Sequence, residues 1–150
     1  MISNGELTSR IFVSDSYKHS GLTELIIQAF YKVYNTLGFG FLEKVYEKAL
    51  IIELHKSGIN AVSQVPIDVY YEGEKVGLYF ADIVADGKVI IELKAGDGIV
   101  EEHEAQVTNY LRATDIEVGL LLGFCKKPVL KRKVFNNEYK IALIKNHELS

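Results

Sequence analysis

The sequence predicts a mixed α/β domain, a central sheet with helices packed against it, and three observations lead there. Two segments between Leu22 and Lys56 carry apolar residues at helical spacing. Strand-like apolar runs separated by glycine-bearing turns follow them. A further helical stretch, "EEHEAQVTNYLRA", then stands ahead of the apolar run "EVGLLLGF". The expected order is α α β β β α β β β, the pattern of helices layered on a sheet.

Each element has its own warrant. The first 20 residues show no clear period and are expected to form a flexible arm, with a short strand at "RIFVS". Residues 21–150 are expected to form one domain. Leu22, Leu25, Ile26, Ala29, Phe30, Val33 and Leu37 make one helix face. "LGFG" ends that helix with two glycines. A second helix runs from about Phe41 to Lys56 with the stripe Leu42, Val45, Tyr46, Ala49, Ile52 and His55, and Gly58 supplies a stop. "AVSQVPIDVYY", "VGLYFADIVA" and "VIIELKA" are three strands joined by the turns "EGEK" and "DGK". The helix that follows has acidic residues in its first turn, where they suit the dipole. "EVGLLLGF" is a buried strand, and "VLKRKVF" and "YKIALIK" are expected late strands.

The chain has 150 residues, enough to bury a core without staples. A single cysteine, Cys125, rules out an intrachain disulfide and a four-cysteine metal site, and suits a reducing cytoplasm. No apolar run approaches a membrane span, and the polar start "MISNGELTSR" is unlike a signal peptide. The net charge of −3 does not favour a general nucleic-acid binder, although basic residues do cluster in "CKKPVLKRK".

Chemistry concentrates in "VIIELKAG". Glu92 and Lys94 are charged residues inside the most hydrophobic short run of the chain, and strand geometry puts both on the face of Ile90. An ion pair at a sheet edge is the plain reading. Asp82, in the preceding strand, offers another. A two-residue turn would pair Asp82 with Ile91, whereas the three-residue loop Asp86-Gly87-Lys88 puts Asp82 opposite Glu92. The second register is expected, because it gathers Asp82, Glu92 and Lys94 at one spot. Facing carboxylates raise each other's pKa, and a divalent cation relieves that cost. Mg²⁺ or Mn²⁺ takes oxygen ligands and activates water toward a phosphate ester, and Lys94 can hold the water or the developing charge.

Asp82, nine intervening residues, then Glu92-Leu93-Lys94 resembles the PD-(D/E)xK nuclease motif, with Ala81 in place of the proline. "GFLEKVYEKAL", with Gly40, Glu43 and Tyr46, resembles the GxxExxY motif of a family of small prokaryotic proteins in that superfamily. "HEAQVTNYL" and "GLLLGF" followed by Lys131-Arg132 are similar to the same family, over roughly residues 21–136. One departure is Gly123, where a polar Asn is expected. The resemblance implies a restriction-endonuclease-like sheet flanked by helices, a divalent metal and a nucleic-acid substrate. It also implies that Glu43 joins the metal site and that Gln106 approaches the metal-bound water or the phosphate, with Tyr110 hydrogen-bonded nearby.

Each candidate has a plainer alternative. Glu43 can be a solvated partner of Lys44 or Lys48, and Tyr46 a core residue rather than a substrate contact. His103, Gln106 and Tyr110 fall on one helix face that can simply pack on the sheet. Gln64 can face the same cleft. Lys131 and Arg132 can grip phosphates or merely guard an edge strand. Lys126 and Lys127 beside Cys125 can lower its pKa, or the thiol can be structural. The leading reading is a metal-dependent nuclease. The other is a nuclease-fold protein without chemistry that binds nucleic acid or self-assembles. Nine Tyr and seven Phe, with Tyr70-Tyr71 and Tyr79-Phe80 on outer strands, allow a homo-oligomer.

Overall fold

The computed structural model describes residues 18–140. Helix α1 is Ser20–Leu37 and α2 is Glu43–Lys56. Strands β1 (Ala61–Tyr71), β2 (Glu74–Ala85) and β3 (Val89–Ala95) follow, then α3 (Glu101–Arg112), β4 (Val118–Phe124), β5 (Pro128–Val134) and a 3₁₀ turn at Asn137–Tyr139. The mixed α/β architecture is as expected. Most of the arm expected over residues 1–20, and most of the late strand "YKIALIK", lie outside the described residues. Of that strand, the described Tyr139 ends the 3₁₀ turn and Lys140 is extended just past it. Of that arm, Lys18 is tied down by an ion pair to Glu117 at 3.2 Å.

The five strands lie in the order β1-β2-β3-β4-β5, with β3 and β4 parallel and the other pairs antiparallel. Helices α1 and α2 cover one face and α3 covers the other. Val89, Ile91 and Leu93 of β3 join the α1/α2 core, and Ile90 joins the α3 core. This alternation sends Glu92 and Lys94 toward the α3 side. Strand β4, buried along its whole length, is the spine between the two layers.

Helix α1 buries Ile26, Ala29, Phe30 and Val33, the expected face, although Leu25 turns to solvent. Gly38, at φ 71, ends it by donating its N–H to the Tyr34 carbonyl. Helix α2 differs from expectation. Its buried row is Tyr46, Leu50 and Leu54, with Glu47 beside it, whereas Leu42 and Ile52 are exposed. The helix is apolar on more than one side, so periodicity alone does not select a face. The face that wins seats Tyr46 flat on Phe124, rings 4.1 Å apart.

The β2–β3 hairpin has the expected register. Ala85 pairs with Val89 and Ile83 with Ile91 across the loop Asp86-Gly87-Lys88, so Asp82 stands opposite Glu92. Asp86 and Gly87 both adopt left-handed φ, 52 and 64. Ladder pairing of β2 to β3 ends at Ile83, yet β1 and β2 stay paired through to Tyr71 and Glu74. The β1–β2 hairpin therefore continues past the sheet as an arm.

The arm also changes face. Before the junction, Ala61, Ile83 and Ala85 pack in the α1/α2 core. Beyond it, Val65, Ile67, Val69 and Ala81 pack in the α3 core. Simple alternation would keep all these odd-numbered residues on one side. The switch falls between Ser63 and Val65, where Gln64 has φ 53, and between Ile83 and Ala81, on either side of Asp82. Among the described residues, no helix is long and apolar enough to cross a membrane.

Candidate active site

Sequence builds this site at the point where the arm leaves the sheet. The Asp82 N–H donates to Glu92 Oε1 at 2.8 Å, and the Leu93 N–H donates to Asp82 Oδ2 at 2.8 Å. Each carboxylate thus accepts from a main-chain amide on or beside the facing residue. Two side chains replace ladder carbonyls, and the strands are free to part beyond them.

Glu92 is buried, 3% exposed, and Asp82 is half-buried. Burial first, and the facing Asp82 carboxylate second, push the Glu92 carboxyl up to about 8. Glu43, the first residue of α2, approaches from the other layer, near the Ala95 backbone. Burial and then Asp82 raise its pKa, while Lys94 pulls the other way. Lys94 is half-buried at the end of β3 and lies close enough to act on Glu43 and Glu92. None of the ion pairs among the described residues involves it. The plain reading of Glu92 and Lys94 as a closed ion pair therefore does not hold.

Gln64 reaches the site from β1. Its Nε2 donates to Glu47 Oε1 at 2.7 Å and makes a longer 3.5 Å contact to Asp82 Oδ1. It positions Asp82 against α2. Glu47, 7% exposed, is the residue that sequence reasoning left out. A glutamate one turn beyond Glu43 gives no sequence signal of burial, since charged residues default to the surface.

Gln106 and Tyr110 lie on α3 and are bonded to each other, Nε2 to the phenol oxygen. Tyr110 is almost buried; burial raises its pKa, the Gln106 bond opposes this, and Glu92 and Asp82 raise it further. Tyr110 thus lies within electrostatic reach of the carboxylate pair, with Gln106 bonded to it.

Three expected contacts take other roles. Tyr46 is not open to a ligand, being 0% exposed. Its hydroxyl donates to the Gly38 carbonyl and accepts from the Phe41 N–H, fixing the glycine loop that aims Glu43. His103 caps α3: its Nδ1 accepts from the Val100 N–H at 3.1 Å, while its own N–H donates to the Val100 carbonyl. Arg132 stands opposite Leu120, on the α1/α2 side, and donates to the Lys18 carbonyl at 2.9 Å. It anchors the chain ahead of α1. Lys131 is exposed on the Glu92 side, two strands across. Cys125 is buried, and burial first and then Asp97 push its thiol pKa up rather than down.

The donors suit a hard cation. Asp82 and Glu92 offer only oxygen, and their hydrogen bonds use part of their accepting capacity. Among the described residues, no group of three or more His, Cys, Asp or Glu closes on one point. The site fits an ion held by two carboxylates that keeps several waters, as Mg²⁺ commonly is. No curated protein and no solved structure matches the chain. A family model described as PD-(D/E)XK nuclease superfamily matches residues 20–135. That span covers the carboxylate hairpin, all three helices and the five-stranded sheet, and the chain belongs to the PD-(D/E)XK nuclease superfamily.

Proposed function

We propose that the protein hydrolyses phosphodiester bonds in nucleic acid with the help of Mg²⁺ or Mn²⁺. One observation carries the reading: Asp82 and Glu92 face each other at the opened end of the β2–β3 ladder, with Lys94 beside them and unpaired by any ion pair among the described residues. Asp82 and Glu92 would hold the ion, and Glu43 would support it from α2 through water. When bound, the ion supplies charge neutralisation at the phosphate and acidifies a water.

The chain's own residues do the rest. Lys94 holds the attacking water and stabilises charge as it builds on the phosphoryl oxygens. Gln106, steadied by Tyr110, orients the water or a phosphate oxygen. The water oxygen bonds to phosphorus, the ester P–O bond breaks, and the departing oxygen takes a proton. Gly40, Glu43 and Tyr46 support membership of the GxxExxY family: Tyr46 pins the loop and Glu43 projects from the helix it starts. A second reading, a catalytically silent scaffold or nucleic-acid-binding module, is favoured by the exposed Tyr71, Val76, Leu78, Tyr79 and Phe80 on the arm, a surface suited to self-association.

Calorimetry with Mn²⁺ on the wild type and on Glu92→Gln, with plasmid nicking and cleavage of a single-stranded oligonucleotide alongside, tests the proposal. Metal binding and cleavage that both vanish in the variant are the expected result. No Mn²⁺ binding at millimolar concentration would sink the catalytic reading.

A further inference from the structure

Between the arm and α3 lies a cavity of about 460 Å³, and its wall includes Tyr110, which feels the Glu92 and Asp82 carboxylates. Val69 and Tyr79 from the arm line one side; Glu102, Gln106, Asn109 and Tyr110 line the other. That volume is in the range of small-molecule sites, roughly 300–1,000 Å³. The Tyr79 and Tyr110 rings meet there at 5.8 Å and 49°. Gln106 and Asn109 sit one helical turn apart on the same side of α3 and bring amide donors and acceptors.

We infer that this cavity is a subsite for an unpaired nucleobase, next to the phosphate held at Asp82 and Glu92. Its lining includes no Lys or Arg, which disfavours a phosphate as occupant. It has instead what a base needs: aromatic surface for the ring face, amides for the ring edge, and the Glu102 carboxylate for an exocyclic amine. Tyr110 lines the cavity and lies within electrostatic reach of Glu92 and Asp82, so base and scissile phosphate are neighbours on one strand. A stacked, paired base cannot enter such a cavity, which makes single-stranded nucleic acid or a frayed end the substrate class. The acidic balance of the chain agrees with this, since a base subsite needs less of the basic surface by which proteins grip a duplex. The inference rests on the hydrolytic reading for the position of the phosphate only.

An uncharged nucleoside is the first probe, because it binds without phosphate or metal. Titrated into the full chain and followed by NMR, it is expected to shift the Gln106 and Asn109 side-chain amides; ribose is not. Tyr79→Ala and Asn109→Leu, both at exposed positions, are expected to weaken binding on the order of tenfold, as for the loss of one base contact. A single-stranded oligonucleotide is expected to bind more tightly than the nucleoside, and than an abasic strand or a duplex of equal length. Shifts produced equally by ribose, wild-type affinity in both variants, or abasic and duplex probes bound as tightly as the single strand would overturn the subsite. Nucleoside binding without cleavage of a single-stranded oligonucleotide in Mn²⁺ would remove the hydrolytic reading and keep the base site. Cleavage of that strand without nucleoside binding would do the reverse.

Discussion

Gln64 shows how much one residue can hold. It is a non-glycine residue at φ 53 in the middle of a strand, a conformation costing about 1 kcal/mol or more. Its amide joins Glu47 to Asp82 across two layers. Gln64→Ala is expected to lose the amide and keep the strain, whereas Gln64→Gly loses the amide and sheds the strain. Urea unfolding should therefore find the Gly variant more stable than the Ala variant by about 1 kcal/mol. Equal stabilities would mean that the left-handed turn at Gln64 is not a strained one. From sequence, Gln64 was legible as a polar residue facing the cleft; the positive φ was not, because nothing in "VSQVP" marks a strand that reverses its faces.

At the scale of elements, the hairpin register was legible because charge and turn chemistry agreed: the three-residue loop gathers Asp82, Glu92 and Lys94, as a bulge elsewhere in the hairpin also would, and the two-residue turn does not. The buried face of α2 was not, because Val45 and Ile52 compete with Leu50 and Leu54 and tertiary packing chooses. Gly123 is a third case. An added Cβ there would come within 2.8 Å of Ile99 Cδ1 and 3.0 Å of Val129 Cβ. Ile99 thus fills the space in which an Asn side chain was expected. Gly123→Asn alone should cost roughly 1–3 kcal/mol by overpacking. With Ile99→Ala, the double variant should be more stable than the sum of the single effects predicts. Strictly additive thermal shifts would show that the two side chains do not share the space.

Across the whole molecule, the carboxylate pair sets how stability follows pH. The Glu92 pKa rises from 4.5 in the unfolded chain to about 8 in the fold. Between those values the native state binds more protons than the unfolded state, so metal-free stability falls as pH rises through this window. The contribution is fully present below pH 4.5 and gone above about 8. Denaturation in EDTA should find the wild type weaker at pH 8 than at pH 6, and Glu92→Gln should flatten that slope. A variant with the same slope as the wild type would assign the effect to other groups. The layer order and the site's core were legible at this scale, since they follow from periodicity and from three charges in apolar strands. The roles of Tyr46, His103 and Arg132 were not, because a cap, a loop pin and an anchor present the same residue types as a binding surface.

The two carboxylates also stand in for backbone carbonyls at the rung where β2 and β3 part. A protein without chemistry would still need Asp82 and Glu92 to seal that seam, so the acid pair is masonry in its own right. Lys94 carries no such duty: no hydrogen bond or ion pair among the described residues engages its ammonium group. On the hydrolytic reading proposed above, the lysine rather than the acids is the residue whose loss, among relatives of this chain, would mark an enzyme fallen silent.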